Sequence, residues 1–219
     1  MNYERLYEYR FRGIDQHARD EVWREISGWI YEQLGRPERV LDPAAGLGEF
    51  ISQVPAKERW AVDRVAYDEN DAARAGAKVV VADIMDAELP DQHFDAVSVS
   101  NFLEHLESQE AVADFLEKMW GALKPGGRIA IVGPNFRYCS NDYFDCADHT
   151  VVLTHIGVAE HLYAAGFNPS RIEAQFLPYS FRSRLPPRAS FTRLYLRTPL
   201  AWRVLGKQFL VIGERLPEV

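Results

Sequence analysis

The fold is decided by residues 39–48, which read Arg-Val-Leu-Asp-Pro-Ala-Ala-Gly-Leu-Gly. A short apolar run leads into Asp42, and a bend of small residues follows it. Small residues let the backbone pass close to a ligand, and a helix that follows such a bend presents free N–H groups to it. We therefore predict a strand ending at Asp42, a ligand-binding turn through Gly46 and Gly48, and a helix from about Glu49.

The spacing of these glycines argues against two other kinds of nucleotide site. A dinucleotide-binding G-x-G-x-x-G that began at Gly46 would need glycine at position 51, which is Ile51. No G-x-x-x-x-G-K-[ST] phosphate loop occurs in the chain, which excludes a P-loop NTPase. A nicotinamide-dependent oxidoreductase remains an alternative that this spacing disfavours.

Outward from the turn, strand and helix patterns alternate, which is typical of a mostly parallel sheet covered on both faces. The predicted strands are 39–42, 60–63, 78–82, 94–100, 128–132, 171–177 and 208–214. Besides the helix that follows the turn, the predicted helices are 15–34, 109–123 and 158–165.

Two further acids follow the next predicted strands. Asp63 ends the second strand, and Asp83 follows the third. Open α/β sheets bind ligands at the carboxyl ends of their strands, so these acids and Asp42 are expected at one edge. A carboxylate at Asp63 could accept hydrogen bonds from both ribose hydroxyls, and Asp83 could accept from an adenine amino group while Ile84 packs on the ring.

The order and spacing of these segments resemble class I S-adenosylmethionine-dependent methyltransferases, above all the small, free-standing bacterial kind. The resemblance covers about residues 38 to 177, with the strand near 208–214. It rests on Val40-Leu41-Asp42-x-Ala-x-Gly-x-Gly, Asp63, Ala82-Asp83-Ile84, the stretch 94–106 and Leu123-Lys124-Pro125-Gly126-Gly127. It implies a Rossmann-like α/β fold, a doubly wound seven-stranded sheet with an antiparallel last strand and helices on both faces.

The resemblance also implies S-adenosylmethionine as the cofactor. The turn would lie against its methionine part, Asp63 at the ribose, Asp83 and Ile84 at the adenine, and Asn101 and Phe102 at the methionine end. The predicted cofactor residues are Asp42, Ala44, Ala45, Gly46, Gly48, Asp63, Arg64, Asp83, Ile84, Asn101 and Phe102. The family usually has glycine where this chain has Ala44, which keeps a second possibility open, a catalytically silent cofactor-binding module.

Two histidines are candidate catalytic residues, since methyl transfer to a hydroxyl often needs a general base. His105 follows the fourth strand, near where the reactive methyl group should point, and His149 stands beside Asp148 in the loop after the fifth strand. Structural roles remain open for both histidines: His105 as a residue that starts a helix, and His149 as a loop residue that closes the pocket.

A metal site is not predicted. Cys139, Cys146, His149 and His155 could supply ligands, but their spacing matches no compact zinc pattern.

The chain is interpreted as one methyltransferase domain over residues 1–219. Its parts are a helical or lid segment (1–37), a cofactor-binding core (38–177), a basic aromatic insert (178–207) and a final strand with tail (208–219). No Asp or Glu occurs from 174 to 213, whereas Arg and Lys recur through the insert. The insert could bind an anionic acceptor, contact anionic lipid headgroups, form a dimer interface, or pair its arginines with acids elsewhere.

The net charge of −7 argues against nucleic acid as a partner. The charged N-terminus, the lack of a membrane-spanning apolar run and the presence of only two cysteines favour a cytoplasmic setting. We predict methyl transfer to an oxygen atom of a small-molecule or glycan-like acceptor, and leave the oligomeric state open.

Overall fold

The computed structural model describes residues 3–10, 12–13, 15–65, 71–179 and 188–216. In this part of the chain one sheet contains seven strands in the order β3-β2-β1-β4-β5-β7-β6. The strands are β1 Arg39–Asp42, β2 Glu58–Asp63, β3 Lys78–Val81, β4 Phe94–Ser100, β5 Leu123–Pro134, β6 Phe167–Glu173 and β7 Gln208–Arg215. Strands β1 to β5 pair in parallel, and β7 runs antiparallel to both β5 and β6. The predicted sheet with its antiparallel last strand is confirmed.

Helices flank the sheet. They are α1 Tyr3–Arg10, α2 Gln16–Gln33, α3 Asp71–Arg74, α4 Gln109–Ala122, α5 Phe136–Cys139, α6 His155–Ala164, α7 Ala189–Leu196 and α8 Pro199–Leu205, with 3₁₀ turns at Leu103–His105 and Tyr143–Asp145. Side chains cap the longer ones: Asp15 accepts from the Ala18 N–H at 3.2 Å, and Ser108 from the Ala111 N–H at 3.2 Å. Such caps satisfy N–H groups that have no partner inside the helix.

Alternating side chains of the central strands build two apolar cores, one on each face of the sheet. Leu41 and Val97 belong to the core that α4 and α6 cover, whereas Val40 and Ala96 belong to the core that α2 covers. Each of these four side chains is fully buried. The continuous apolar runs of β1 and β4 follow from burial on both faces.

The helix predicted from about Glu49 is wrong. Residues 46–53 form turns. One hydrogen bond within them has the i to i−4 spacing of an α-helix, from the Ser52 N–H to the Gly48 C=O at 3.0 Å. Gly46 and Gly48 have φ of 53° and 86°, in the left-handed region, so neither can belong to a right-handed α-helix, and residues 49–53 after them form turns.

The sixth strand and the insert also differ in detail. The predicted strand 171–177 begins earlier, at Phe167, and ends at Glu173, because the chain then turns to bury Phe176 against Trp29 at 4.8 Å between ring centroids. The insert forms two short helices on either side of the Thr198–Pro199 junction, in agreement with the prediction that its prolines prevent one long helix. Residues 180–187 of the insert lie outside the described residues. No helix in the described ranges has the length and apolarity needed to cross a bilayer.

Candidate functional site

The candidate site lies at the carboxyl ends of β1, β2 and β4. Strand order reverses between β1 and β4, because the chain first moves outward to β2 and β3 and then returns to the other side of β1. Such a switch point leaves a crevice in which open α/β sheets bind ligands. The predicted cofactor residues from Asp42 to Phe102 all belong to loops that leave this edge or to the strand ends that reach it.

The glycine turn is held against the end of β2 by backbone and side-chain bonds. The Ala45 N–H donates to the Val62 C=O at 3.0 Å, and the Gly46 N–H donates to Asp63 Oδ2 at 2.7 Å. The other oxygen of Asp63 accepts from the Val65 N–H at 2.9 Å. A carboxylate has about four lone-pair sites, so Asp63 keeps acceptor capacity for hydroxyls of a ligand while it fixes the turn.

Three carboxylates gather beneath this turn. Asp42 is buried, and its Oδ1 accepts from the Ala44 N–H at 3.4 Å. Burial, together with the neighbouring charges of Asp63 and Glu49, raises the pKa of Asp42 to about 8. Glu49 is itself paired with buried Arg19, whose Nη2 donates to Glu49 Oε2 at 2.8 Å. Sequence reasoning missed Glu49 and Arg19, because the pairing joins the turn to α2, which is distant in the chain.

Replacement of Asp42 by asparagine is expected to change how the stability of the ligand-free protein depends on pH. The pKa of Asp42 is about 8 in the folded protein and about 3.9 when unfolded, so its stabilising contribution is full below the unfolded value and is lost as pH rises towards 8. Between these values wild type should lose up to about 1.4 kcal/mol per pH unit relative to Asp42→Asn. Urea unfolding of both proteins at pH 5, 6 and 7 measures this, and parallel profiles would contradict it.

Gly48 is the most constrained position of the turn. A Cβ built on it would lie 2.6 Å from the backbone N of Ala72 and 2.7 Å from its Cβ, whereas a Cβ on Gly46 would meet nothing within 4 Å. Both glycines have positive φ, so both substitutions carry a backbone cost of about 1 kcal/mol. We expect Gly48→Ala to lower the free energy of unfolding by about 2 kcal/mol more than Gly46→Ala, through overpacking. Chemical denaturation measures the difference, and equal losses would refute the crowding.

The predicted adenine side is already rich in contacts. Asp83 accepts from the Arg64 Nε–H at 2.8 Å and from the Met85 N–H at 2.9 Å. Partial burial raises the pKa of Asp83, but the Met85 N–H and the Arg64 guanidinium together hold it below its usual value. Ile84 packs into the core beneath, with 4 % of its surface exposed. The Arg64 guanidinium thus lies beside Asp83.

At the predicted methionine end, Asn101 adopts a left-handed conformation with φ of 49°. Its N–H donates to the Val132 C=O at 2.8 Å, which fixes the turn after β4. Asparagine tolerates this region better than most residues, and strained backbone is frequent at functional sites. Phe102 packs on Phe115, with 5.1 Å between ring centroids.

His105 and His149 come together although 44 positions separate them in the chain: their ring centroids lie 4.9 Å apart. His105 Nδ1 lies 3.0 Å from the Asp148 carbonyl oxygen and 3.4 Å from Asp148 Oδ2. Since a carbonyl oxygen only accepts, Nδ1 carries the hydrogen and Nε2 is left with the lone pair in the neutral ring. Asp148 therefore orients His105, and not its sequence neighbour His149.

His149 packs against Tyr143, with ring centroids 4.8 Å apart. Burial, and then the nearby charge of His105, lowers the pKa of His149 to about 4. The imidazole is therefore neutral at physiological pH, with a lone pair on one ring nitrogen. Its Nδ1 is buried and has no hydrogen-bond partner among the residues described.

Glu104 is a member of this cluster that sequence reasoning missed. Its side chain is 1 % exposed, burial raises its pKa, and its Oε2 finds no hydrogen-bond partner in the described part of the chain. Oxygen and nitrogen atoms of Glu104, His105 and His149 lie within 4.8 Å of one another. The signal in the sequence was an acid between the apolar Leu103 and His105, but the sequence alone did not show that Glu104 points inward.

The N-terminal helix α1 reaches the same cluster. Arg10, its last residue, forms an ion pair with Asp148, whose side chain is 3 % exposed. The pair links the predicted lid segment to the loop that carries His149. An ion pair and a hydrogen bond thus connect α1, Asp148 and His105 in a row.

The cysteines lie apart from the cluster of Glu104, His105 and His149. Cys139 Sγ donates to the Asn135 C=O at 3.1 Å, and burial raises the pKa of this thiol to about 12. Cys146 Sγ lies 3.7 Å from the Tyr179 hydroxyl, and His155 Nδ1 lies 2.9 Å from the Asn135 side-chain nitrogen. Cys139, Cys146, His149 and His155 therefore do not form a common ligand set among the described residues.

The comparison with known proteins agrees with this geometry. Residues 41–131, from β1 to β5, match the family model described as methyltransferase domain. No protein of curated function matches the sequence.

Solved structures share the fold over nearly the whole chain. An S-adenosylmethionine-dependent methyltransferase from Archaeoglobus fulgidus is 21 % identical with a TM-score of 0.69, over 97 % of this chain and 100 % of that one. A 1,6-didemethyltoxoflavin N1-methyltransferase from Burkholderia thailandensis, solved with its acceptor and S-adenosylhomocysteine, is 22 % identical with a TM-score of 0.62, over 98 % and 89 %.

A geranyl diphosphate C-methyltransferase from Streptomyces coelicolor, in complex with Mg²⁺, geranyl diphosphate and S-adenosylhomocysteine, is 13 % identical with a TM-score of 0.60, over 87 % and 78 %. At these identities the likeness concerns the fold.

Fold and edge residues define a Rossmann-like domain with its ligand site at the switch point of the sheet. The match over β1 to β5 assigns residues 41–131 to a methyltransferase domain, and the fold of the chain resembles that of solved S-adenosylmethionine-dependent methyltransferases.

Proposed function

We propose that residues 1–219 act as one domain that transfers the methyl group of S-adenosylmethionine to an oxygen atom of a small-molecule or glycan-like acceptor, with an anionic acceptor as one form of it. The observation that carries the proposal is the bond from the Gly46 N–H to Asp63 Oδ2 at 2.7 Å. It brings the small-residue turn and the acid at the end of β2 to one point, where a ligand with a ribose and a flexible polar tail would contact both.

In this proposal the cofactor lies across the edge from β3 to β4. Asp63 accepts from the ribose hydroxyls, and Asp83, held by Arg64 and Met85, accepts from the adenine amino group. The buried carboxylates near the turn favour the cationic ammonium and sulfonium groups of the cofactor, because unlike charges attract strongly in a partly buried site. Binding of these cations would draw the proton from Asp42.

The remaining predicted residues complete the proposed cofactor site. Ala44, Ala45, Gly46 and Gly48 lie against the methionine part, and Asn101 and Phe102 line its reactive end. Ile84 supports the adenine from below through its place in the core.

The acceptor is proposed to react beside His105 and His149. A sulfonium methyl group is already activated, so the protein mainly aligns the acceptor and removes its proton. His105 is the better proton acceptor of the two, because Asp148 would stabilise the imidazolium whereas burial opposes charge on His149. His149 then closes the acceptor side of the site.

A small-molecule acceptor is supported by similar folds. The Burkholderia enzyme was solved with 1,6-didemethyltoxoflavin, and the Streptomyces enzyme with geranyl diphosphate. In the insert, Arg188, Arg197 and Arg203 are exposed, and an anionic group would pair with them. Two further basic residues of the insert form ion pairs within the protein: Arg193 pairs with Glu25 at 2.5 Å, and Lys207 pairs with Asp142 at 2.6 Å.

The insert is also proposed to touch anionic membrane surfaces. Helices α7 and α8 leave Phe191, Leu194, Leu200 and Val204 between 52 % and 79 % exposed beside these arginines, as in a basic amphipathic surface helix. The cytoplasmic setting stays a prediction.

The wild-type protein is expected to sediment with vesicles that contain phosphatidylserine and not with pure phosphatidylcholine vesicles. The double substitution Leu200→Asp and Val204→Asp should abolish sedimentation, because it removes apolar area and adds repelling charge. Ile156→Asp serves as the matched control, since Ile156 is a half-exposed apolar residue on α6. Equal sedimentation of the double variant and the control would rule out this contact.

A catalytically silent cofactor-binding module is the second candidate. Ala44 favours it, because the family usually has glycine there. Incubation with methyl-labelled S-adenosylmethionine and a panel of phenols, sugars and sugar phosphates separates the two. Label in any acceptor supports the transferase, whereas binding of S-adenosylhomocysteine without labelled product supports the module.

A further inference from the structure

We propose that Glu104, His105 and His149 bind one divalent first-row transition-metal ion, of the Zn²⁺ or Fe²⁺ kind. Two histidines and one carboxylate are the ligand set of many such sites, which keep further positions open for water or substrate. The inference deepens the proposed function and rests on it only for the role of the ion. It replaces the expectation from the sequence that no metal site is present.

The first observation is the burial of donors without partners. Glu104 Oε2 and His149 Nδ1 are both buried, and neither has a hydrogen-bond partner among the described residues, although an unsatisfied buried polar group is destabilising. Both belong to the cluster whose donor atoms lie within 4.8 Å of one another. In a tetrahedral site the ligand atoms lie about 2.1 Å from the ion and therefore about 3.4 Å from one another. Side-chain rotations that move the donor atoms by about 1 Å would complete the site.

The second observation is the orientation of His105. Its Nδ1–H donates to Asp148, and its Nε2 lies 3.9 Å from Glu104 Oε1. Histidine ligands of metals commonly donate their other ring N–H to a carboxylate or a carbonyl, which fixes the ring and its tautomer. Asp148 offers both kinds of acceptor, and Arg10 fixes Asp148 in turn.

The place of the cluster gives the ion a use. Glu104 and His105 follow Asn101 and Phe102 on the turn after β4, at the proposed reactive end of the cofactor. An ion there would take the acceptor oxygen at an open position and lower the pKa of its hydroxyl, whose proton would pass to water; with the ion bound, His105 serves as a ligand in place of its role as proton acceptor. This role would favour acceptors that offer an oxygen ligand to the ion.

The test begins with wild-type protein freed of metal by a chelator and titrated calorimetrically with Zn²⁺, with Co²⁺ absorption as a second readout. We expect one ion per chain. Glu104→Gln and His149→Ala should each weaken Zn²⁺ binding at least tenfold. Two controls should bind as wild type: His17→Ala, a histidine whose side chain is 85 % exposed, and Cys146→Ser, which removes a thiol that is not a member of the proposed ligand set.

Failure is equally well defined. Absence of a stoichiometric ion, a loss of less than tenfold in the two ligand variants, or loss of binding in Cys146→Ser overturns the site. Should either ligand variant fail to fold, anomalous scattering from a Zn²⁺-soaked wild-type crystal decides, since the ion must lie within about 2.2 Å of all three side chains. Binding of S-adenosylhomocysteine, measured on the same samples, distinguishes failure of the metal site from failure of the proposed function.

Discussion

Replacement of Asp63 by alanine is expected to weaken the binding of S-adenosylhomocysteine by about 100-fold or more. The ribose hydroxyls would lose the two hydrogen bonds that they donate to this carboxylate, and hydrogen bonds to a charged group contribute about 1.5–3 kcal/mol each. The substitution also removes the acceptor that holds the Gly46 N–H, so the turn that contacts the methionine part would loosen. Isothermal titration calorimetry measures the affinity directly.

Two further variants make this prediction specific. Asp63→Asn keeps one acceptor oxygen and should retain part of the affinity. Asp91→Ala removes an exposed acid from the loop before β4 and should change nothing. An affinity of Asp63→Ala within threefold of wild type would disprove the role of this acid and, with it, the proposed position of the ribose.

Removal of either imidazole of the histidine pair is expected to slow methyl transfer by about 100-fold or more while S-adenosylhomocysteine binds as before. General acid–base catalysis contributes about 10²–10⁴-fold, and loss of a ligand to an activating ion has effects of similar size. His105→Ala and His149→Ala are therefore compared with wild type by the rate of label transfer from S-adenosylmethionine to the best acceptor of the panel.

The control is His17→Ala, which removes an exposed surface imidazole and should leave the rate unchanged. A normal rate in both His105→Ala and His149→Ala would remove these residues from the mechanism. A fall in cofactor affinity in step with the rate would instead indicate that the pair supports the fold of the site.

Much of the cofactor side could be predicted from local sequence. Asp42, Asp63 and Asp83 each stand directly at or just after a strand, and parallel strands bring their carboxyl ends to one edge. The helix expected after the glycine turn did not form, and residues 46–53 form turns there instead. Arg64 was predicted as a cofactor residue without a partner, and its guanidinium extends to Asp83.

Less of the proposed acceptor side could be predicted from the sequence. His105 and His149 were each recognised as candidates, but their meeting across 44 positions depends on how the loop after β5 packs over the turn after β4. The neighbours Asp148 and His149 suggested a pair, whereas Asp148 contacts His105 and Arg10. Glu104 gave no signal of burial, since a single acid beside histidine is equally common on a surface.

Local sequence was enough to predict the alternation of strands and helices, the small-residue turn and the acids at the strand ends, because these follow from local backbone preference and from the geometry of a parallel sheet. The three-dimensional packing was needed to show that Glu104, His105 and His149 form one cluster. That cluster is assembled by segments distant in the chain, and its contacts arise from burial and from charges that pair across loops, neither of which is encoded by spacing along the chain.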